Sequence, residues 1–275
     1  SVDRLVNNDA GPLIADSRLG DSLNRSGQVV ELTFTQQVAV DGPTVPGYLV
    51  RATDAFQWAT PSSDPMDITY LPASNRFVVS DSEIEEAPQN YWHGGNLFEM
   101  TPGGALTQLK TTFTISPTTA TPNNFTSEPA GIAYHPGSGH WFFSDDDYHK
   151  VYEVDLGGDG AYGTSDDVVT WFATKPCGNN DPEGIAVNSQ NGHLLMADGL
   201  DAEVFEIAPG PNGVFDGCGA SGDDVATHFD TAVYGVPDPE GIQFNGDTAT
   251  IYFIGHASNI VETTPAGALG RVIDN

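Results

Sequence analysis

Short apolar segments recur along the chain, separated by stretches rich in Gly, Pro and Asp. Trp141-Phe142-Phe143 and Leu194-Leu195-Met196 are examples of such segments. Uninterrupted apolar runs of this length predict strands that are buried on both faces. Frequent turn residues between short strands are typical of an all-β protein. No apolar run approaches the roughly 18 residues that a membrane-spanning helix needs, so we expect no membrane insertion.

A four-residue phrase containing a Glu is repeated five times. Its copies lie at 29–32, 97–100, 151–154, 204–207 and 260–263. The Glu residues are therefore 31, 99, 153, 206 and 262, with intervals of 68, 54, 53 and 56 residues. Upstream of each copy lies a phrase that ends in Asp (16, 81, 145 and 198) or, in the last copy, in His256. Upstream of the last four copies lies a third phrase, in which an acid is followed by Pro and, three residues after the Pro, by Ile. A constant order of three phrases indicates a repeat architecture.

Each phrase predicts one strand, and the stretch after the Glu phrase, such as 168–172, predicts a fourth. Four antiparallel strands in about 55 residues make one blade of a β-propeller. We therefore predict a single five-bladed β-propeller domain, with blades at about 1–60, 61–120, 121–175, 176–233 and 234–275. The long segment 34–63 leaves room for an extra hairpin, so a six-bladed propeller is the alternative.

The chain carries nine Lys and Arg against 38 Asp and Glu, a formal net charge of −29. Such a charge repels phosphates and anionic lipids, so we expect no nucleic-acid partner. A protein tolerates a large excess of Asp and Glu side chains where hard cations neutralise their charge. The composition therefore favours Ca²⁺ as a cofactor. An acidic surface that serves solubility alone is the alternative.

Export is the expected localisation, because the sequence starts at Ser1 like a secreted protein whose signal peptide has been removed. Cys177 and Cys218 are able to pair in an oxidising compartment, although two positions alone do not establish pairing. Asn24 and Asn124 begin N-glycosylation triplets, which also arise by chance.

Acidic residues are concentrated where the predicted innermost strands begin. They are Asp64, Glu128, Asp181, Glu183, Asp238 and Glu240, with Asp67 nearby. In a propeller these positions meet at the mouth of the central channel. Several carboxylates in one small space require a shared cation to remain ionised, and Ca²⁺ accepts six to eight oxygens at flexible angles. The alternative is that each carboxylate caps the backbone of its own turn.

A second candidate calcium site is the loop 155–167, in which Gly residues separate the acids Asp155, Asp159, Asp166 and Asp167. Gly permits the tight turns that bring such ligands together. The loop lacks the closing Glu of an EF-hand, and a Gly-rich hairpin with solvated acids is the alternative. The next repeat has a related loop containing Asp216, Asp223 and Asp224.

Sequence motifs for catalysis are missing. The chain contains no His-Glu-x-x-His, Gly-x-Ser-x-Gly or Cys-x-x-Cys motif. Only weak catalytic candidates remain, namely Glu183, Glu240 and His256. His256 replaces the Asp of the other repeats, and a packed core histidine is the alternative explanation.

The segments 181–186, 194–198 and 204–207 resemble the repeat of NHL-type propellers and of the superfamily that holds gluconolactonase-like hydrolases and calcium-dependent β-propeller phytases. In those enzymes the Glu of a Glu-Gly pair ligates the functional cation, which the resemblance transfers to Glu183 and Glu240. The chain departs from phytases in its few Lys and Arg, and the Asn ligands of the lactonases have no clear counterpart here. Fold resemblance does not carry function.

Two functions remain open. The first is a secreted calcium-binding propeller that binds proteins or glycans, or assembles with itself, through its loops and faces. The second is a calcium-dependent hydrolase of the lactonase or phosphoesterase type, with its site at the channel mouth.

Overall fold

The computed structural model describes strands at 3–6 and 28–34 and the residues 44–84, 92–113, 124–220, 222–255 and 258–274. The described residues form β-strands and three short 3-10 helices. Three four-stranded antiparallel sheets, together with four antiparallel strands of a seven-stranded sheet, are the blades of a β-propeller.

The strands of each blade run outward from the propeller axis in chain order. Blade 1 contains β4 (Pro65–Leu71), β5 (Arg76–Asp81), β6 (Leu97–Met100) and β7 (Leu106–Lys110), and blade 2 contains β8 (Gly131–Tyr134), β9 (Trp141–Asp145), β10 (Lys150–Asp155) and β11 (Val168–Ala173). Blade 3 contains β12 (Pro182–Val187), β13 (Leu194–Asp198), β14 (Glu203–Ala208) and β15 (Val225–Asp230), and blade 4 contains β16 (Pro239–Asn245), β17 (Thr250–Gly255), β18 (Ile260–Thr263) and β19 (Leu269–Asp274). The inner strands β4, β8, β12 and β16 lie beside one another in that order.

The prediction of five blades, with six as the alternative, is wrong: the described strands form four. The described part of 1–60 contains three strands, which are β1 (Asp3–Val6), β2 (Gln28–Phe34) and β3 (Thr44–Asp54). They do not form a separate blade, because β3 pairs in parallel with β19 and extends blade 4 to seven strands. The phrase around Glu31 does lie in a strand, but a local phrase specifies a strand and not its partner. Here the sheet that contains this strand joins blade 4, because β3 pairs with the open edge of β19.

Hydrophobic packing between neighbouring blades forms the core. Phe142 of blade 2 belongs to the same hydrophobic cluster as Leu194 and Phe205 of blade 3. Leu195 of blade 3 belongs to the same cluster as Phe253 of blade 4. The second strands of the blades are buried almost completely, as their uninterrupted apolar runs predicted.

The inner strands approach each other closely at the axis because three of them carry Gly at the same repeat position. A Cβ at Gly131 would lie 2.7 Å from the carbonyl oxygen of Glu183, and a Cβ at Gly184 would lie 2.5 Å from the carbonyl oxygen of Glu240. Blade 1 has Asp67 at this position. Its Oδ2 accepts hydrogen bonds from the backbone N–H groups of Ile132 (3.0 Å) and Ile185 (3.2 Å). Asp67 therefore connects three blades at the axis.

Candidate functional site

Acidic side chains from blades 2, 3 and 4 converge at the end of the propeller where the inner strands begin. The turn between β9 and β10 contributes Asp146, the entrance of β12 contributes Asp181 and Glu183, and the entrance of β16 contributes Asp238 and Glu240. Carboxylate oxygens of Asp146, Asp181 and Glu183 lie within 4.8 Å of one another. These three residues are called the mouth cluster below.

A β-bulge places Glu183 in the mouth cluster. β12 begins in register with β13 at Pro182 and Asp198, and the register shifts before Ile185 pairs with Met196. The extra residue falls in the Glu183-Gly184 pair, and such bulges commonly redirect a side chain. β4 and β16 have equivalent register shifts after their first Pro. The repeated acid-Pro phrase thus builds the same irregular strand entrance in three blades.

Glu183 is the most constrained member of the mouth cluster. Its side chain is almost completely buried, and its Oε2 is buried without a hydrogen-bond partner among the described residues. Burial raises the pKa of Glu183 well above its ordinary value, and the charges of Glu240, Asp146, Asp181 and Asp238 raise it further. A carboxylate in these surroundings is stable only when protonated or when a cation lies beside it.

Asp146 and Asp181 lie in the same acidic environment but are less buried than Glu183. Burial raises the pKa of Asp146 to about 6, and its Oδ1 is also buried without a partner among the described residues. Burial raises the pKa of Asp181 as well, and Asp198 contributes to the increase, whereas His149 opposes it.

The donor set fits a hard divalent cation. It consists of carboxylates from neighbouring blades, and two of these carboxylates, those of Glu183 and Asp146, each have a buried oxygen without a hydrogen-bond partner among the described residues. Oxygen donors at flexible angles are the ligands that Ca²⁺ prefers, and Mg²⁺ demands stricter octahedral geometry. Asp146, Asp181 and Glu183 would hold the ion.

The predicted mouth residues divide into three pairs. Asp181 and Glu183 belong to the mouth cluster, and Asp238 and Glu240 act on Glu183 electrostatically. Asp64 and Glu128 are not members of any cluster of three metal-ligating side chains among the described residues. The N–H of Asp64 donates to Asp81, and the N–H of Glu128 donates to Thr126. Metal ligation by Asp64 and Glu128 stays a prediction.

Sequence reasoning missed Asp146 as a site residue. The available signal was the residue after the repeated Asp, which is Ser82, Asp146 and Gly199 in blades 1 to 3. The repeated Asp itself has a structural role. Asp145 accepts a hydrogen bond from the N–H of Tyr148, and Asp198 accepts one from the N–H of Asp201, each within its own turn.

In the loop 155–167 the acidic side chains accept hydrogen bonds from the loop backbone. Asp166 accepts from the N–H groups of Gly158 and Asp159, and Asp167 accepts from those of Gly163 and Thr164. Asp155 and Asp159 each accept from the N–H two residues later. The acids of this loop therefore cap its own backbone, and calcium binding by the loop stays a prediction.

The related loop of blade 3 contains Asp216, Asp223 and Asp224, whose carboxylate oxygens lie within 4.8 Å of one another. Asp224 is buried and accepts hydrogen bonds from three backbone N–H groups of its loop. Cys218 of this loop forms a disulfide with Cys177, which follows β11. The two cysteines are therefore paired, and the bond joins blade 2 to blade 3.

The repeated Glu has a basic partner in each blade. The pairs are Glu99–Lys110, Glu153–His140, Glu206–His193 and Glu262–Arg271. These Glu residues lie in the third strands of the blades and are cross-strand or hairpin partners rather than members of the mouth cluster. His256 and Asn24 lie outside the described residues, and Asn124 is exposed.

Fold and site together define a four-bladed β-propeller with an acidic mouth. No protein-family model and no curated protein matches the sequence. Structural neighbours include a Bacteroides uniformis protein described as a 6-phosphogluconolactonase (TM-score 0.45, 12% identity, 88% of this chain and 62% of that chain). They also include the nidogen/laminin complex (0.49, 12%, 97% and 75%) and a gluconolactonase from Xanthomonas campestris (0.46, 13%, 83% and 65%).

The neighbours thus include proteins described as lactonases, one of the kinds of propeller that the sequence resembles. Likenesses at this level concern the fold alone. The chain spans about three fifths of the length of the Bacteroides uniformis protein. Among the described residues, no helix is long and apolar enough to cross a membrane.

Proposed function

We propose that the protein is a calcium-binding β-propeller that acts as an extracellular binding or assembly protein. The ion is held by the mouth cluster and lies at the centre of the surface that meets the partner. One observation carries the proposal: the buried Glu183 has an Oε2 with no hydrogen-bond partner in the described part of the chain, and its carboxylate lies within 4.8 Å of carboxylate oxygens of Asp146 and Asp181.

The surface around the mouth cluster supports a binding role. Tyr148 is 61% exposed and lies in the same turn as Asp146, and Leu200 is 70% exposed and lies in the equivalent turn of blade 3. Aromatic side chains are enriched in protein interfaces relative to the rest of the surface, so an exposed Tyr beside the site suits a binding role. The disulfide supports an oxidising, extracellular location.

The test compares the melting temperatures of wild type and Glu183→Gln in EDTA and in excess Ca²⁺. In EDTA we expect Glu183→Gln to melt at a higher temperature than wild type, because the amide removes a buried charge from a group of acids. In Ca²⁺ we expect wild type to be stabilised by about 3 kcal/mol at a concentration near 100 Kd, and the variant to gain much less.

Asp247→Asn is the matched control, because Asp247 is exposed in the turn between β16 and β17, at the opposite end of the blade. It removes the same charge and leaves the mouth cluster intact. Equal stabilisation of wild type and Glu183→Gln by Ca²⁺ would contradict the proposal.

A calcium-dependent hydrolase is the second candidate function, and His149 favours it. His149 lies in the same turn as Asp146, acts on the charge of Asp181, and has a buried Nδ1 without a hydrogen-bond partner among the described residues. An imidazole beside a cation is suited to proton transfer during hydrolysis. Turnover of a neutral lactone or an aryl phosphate that requires Ca²⁺ and is lost in His149→Gln would establish this function. Absence of turnover by protein that binds Ca²⁺ would favour the binding role.

A further inference from the structure

The outer strand of blade 2 differs from the other outer strands because it carries no charge. β11 has the sequence Val-Val-Thr-Trp-Phe-Ala from 168 to 173. The outer strands β7, β15 and β19 contain Lys110, Asp230 and Arg271, respectively. Charged side chains on an edge strand oppose pairing with another chain, whereas an uncharged strand of β-branched and aromatic residues favours it. β11 is therefore the outer strand best suited to pairing with a strand of another molecule.

Backbone groups along the outward edge of β11 are available for pairing. Among the described strands β11 ends its sheet and pairs with β10 alone. The N–H of Thr174 donates to the carbonyl oxygen of His149, and hydrogen-bonded and non-hydrogen-bonded pairs alternate along an antiparallel ladder. The N–H and C=O groups of Val169, Trp171 and Ala173 therefore point away from β10. Trp171 is also 56% exposed.

The molecule already contains one strand added to an outer edge. β3, which lies far from blade 4 in the sequence, pairs in parallel with β19, the outer strand of that blade. This pairing forms although β19 carries Arg271 and Asp274. An outer strand of this propeller therefore accepts a further strand beside it.

We infer that β11 pairs antiparallel with β11 of a second copy of this chain, about a twofold axis at Trp171. In this register Trp171 lies opposite its own counterpart, and Val169 of each copy lies opposite Ala173 of the other. Aromatic cross-strand pairs stabilise antiparallel sheets, and no like charges meet within the paired strands. A twofold axis makes the contact self-complementary and closes the assembly as a dimer.

The same register brings opposite charges together at both ends of the strand pair. Asp166 and Asp167 immediately precede β11, and the exposed Lys175 follows two residues after its end. Antiparallel pairing places the start of one β11 beside the end of the other, so Lys175 of each copy comes near Asp166 and Asp167 of the other. The net charge of −29 on each copy opposes association. Salt screens this repulsion beyond about 8 Å at physiological ionic strength.

The pairing surface lies on the outer edge of blade 2, apart from the mouth cluster, and no calcium ion takes part in the contact. The inference goes beyond the proposed function, because it names a second copy of the chain as the partner at a separate surface. A chain that stays monomeric in the absence of calcium would overturn the inference and leave calcium binding by the mouth cluster unaffected.

Sedimentation velocity in EDTA tests the pairing, with wild type measured from about 10 µM to about 1 mM. NaCl at about 0.5 M screens the repulsion between the acidic copies. We expect wild type to shift from monomer to dimer across this range, because one strand pair buries less than the ~1,600 Å² of a standard interface. Trp171→Lys places two ammonium groups opposite each other and is expected to remain monomeric.

His228→Lys is the matched control, because His228 occupies on β15 the position that Trp171 occupies on β11. Its side chain is exposed as well. The control is expected to dimerise as wild type does. Wild type that stays monomeric, or Trp171→Lys that dimerises like wild type, would overturn the inference.

A spin label at position 168 tests the register. Val168 is 55% exposed, and both native cysteines are paired in the disulfide, so Val168→Cys provides a single site for labelling. Six residues separate the two labelled positions along the strand pair, which gives about 20 Å at ~3.4 Å per residue. Double electron–electron resonance should therefore report a label distance of roughly 20–30 Å in the dimer. A dimer with a distance well outside this range would place the contact elsewhere and contradict the pairing of β11.

Discussion

Oδ2 of Asp67 accepts a hydrogen bond from the backbone N–H of Ile185, which lies 118 residues further along the chain, at 3.2 Å. The same oxygen accepts from Ile132, and Oδ1 accepts from Ile68. Blade 4 joins through Gln243, whose Nε2 donates to the carbonyl oxygen of Ile68 at 2.9 Å. Asp67 takes the repeat position that Gly occupies in the other three blades, and its side chain fills the space between their inner strands. The Asp67 carboxyl group therefore links the inner strands at the propeller axis. The mouth cluster lies at the end of the propeller where these strands begin.

Asp67 gives the protein an unusual dependence of stability on pH. Its backbone hydrogen bonds favour the carboxylate, but the larger effect of burial raises the pKa of Asp67 from 3.8 to about 7. The folded state then binds the proton more tightly than the unfolded state. We therefore expect the free energy of unfolding to fall as the pH rises from about 4 to about 7, by at most about 1.4 kcal/mol per pH unit from this group.

Chemical denaturation in EDTA at several pH values tests this expectation. Asp67→Asn lacks the titrating group, so its free energy of unfolding should fall less steeply between pH 4 and 7 than that of wild type. Asp247→Asn should retain the wild-type slope. The same slope in Asp67→Asn and wild type would show that Asp67 keeps an ordinary pKa in the fold.

Gly184 is required for the close approach of β12 and β16. A Cβ at this position would lie 2.5 Å from the carbonyl oxygen of Glu240 and 2.9 Å from Cα of Gly241. Because backbone atoms form the contact, no side-chain rotation relieves it. We expect Gly184→Ala to lower the free energy of unfolding by about 2 kcal/mol or more. Urea denaturation measures the change. Gly103→Ala is the control, because a Cβ there has no neighbour closer than 3.5 Å. An effect of Gly184→Ala no larger than that of the control would show that β12 and β16 do not approach each other so closely.

The disulfide stabilises the contact between blades 2 and 3. Cys177 and Cys218 are separated by 41 residues, and closing a loop of that length is worth about 4 kcal/mol in the chain-entropy description. Cys177→Ser/Cys218→Ser should therefore have a lower denaturation midpoint than oxidised wild type and should not respond to dithiothreitol. Equal midpoints before and after reduction of wild type would exclude a stabilising role.

Much of the architecture was predictable because the repeated phrases report local structure. The apolar runs gave the buried second strands, and the acid-Pro phrase gave the entrances of the inner strands. Blade number was not predictable, because the phrase at 29–32 forms a strand whose sheet is decided by β3 and the distant edge of β19. No local pattern encodes that pairing.

Only some members of the mouth cluster were predictable, because the others depend on contacts between parts of the chain that are distant in sequence. Asp181 and Glu183 follow from the phrase that carries them. Asp146 comes from a turn of the preceding blade, and its distance to Glu183 depends on how the two blades pack. Asp67 was visible as the one departure from Gly at its repeat position, yet its contacts with Ile132 and Ile185 depend on the closed ring.

Calcium binding by the mouth cluster is the central claim, and isothermal titration calorimetry tests it most directly. Metal-free wild type is titrated with CaCl₂ beside the triple variant Asp146→Asn/Asp181→Asn/Glu183→Gln, with Asp247→Asn as the control. Wild type and control are expected to bind at least one more Ca²⁺ per chain than the triple variant, whatever the loops at 155–167 and 210–224 bind. The same stoichiometry and affinity in wild type and the triple variant would contradict the claim.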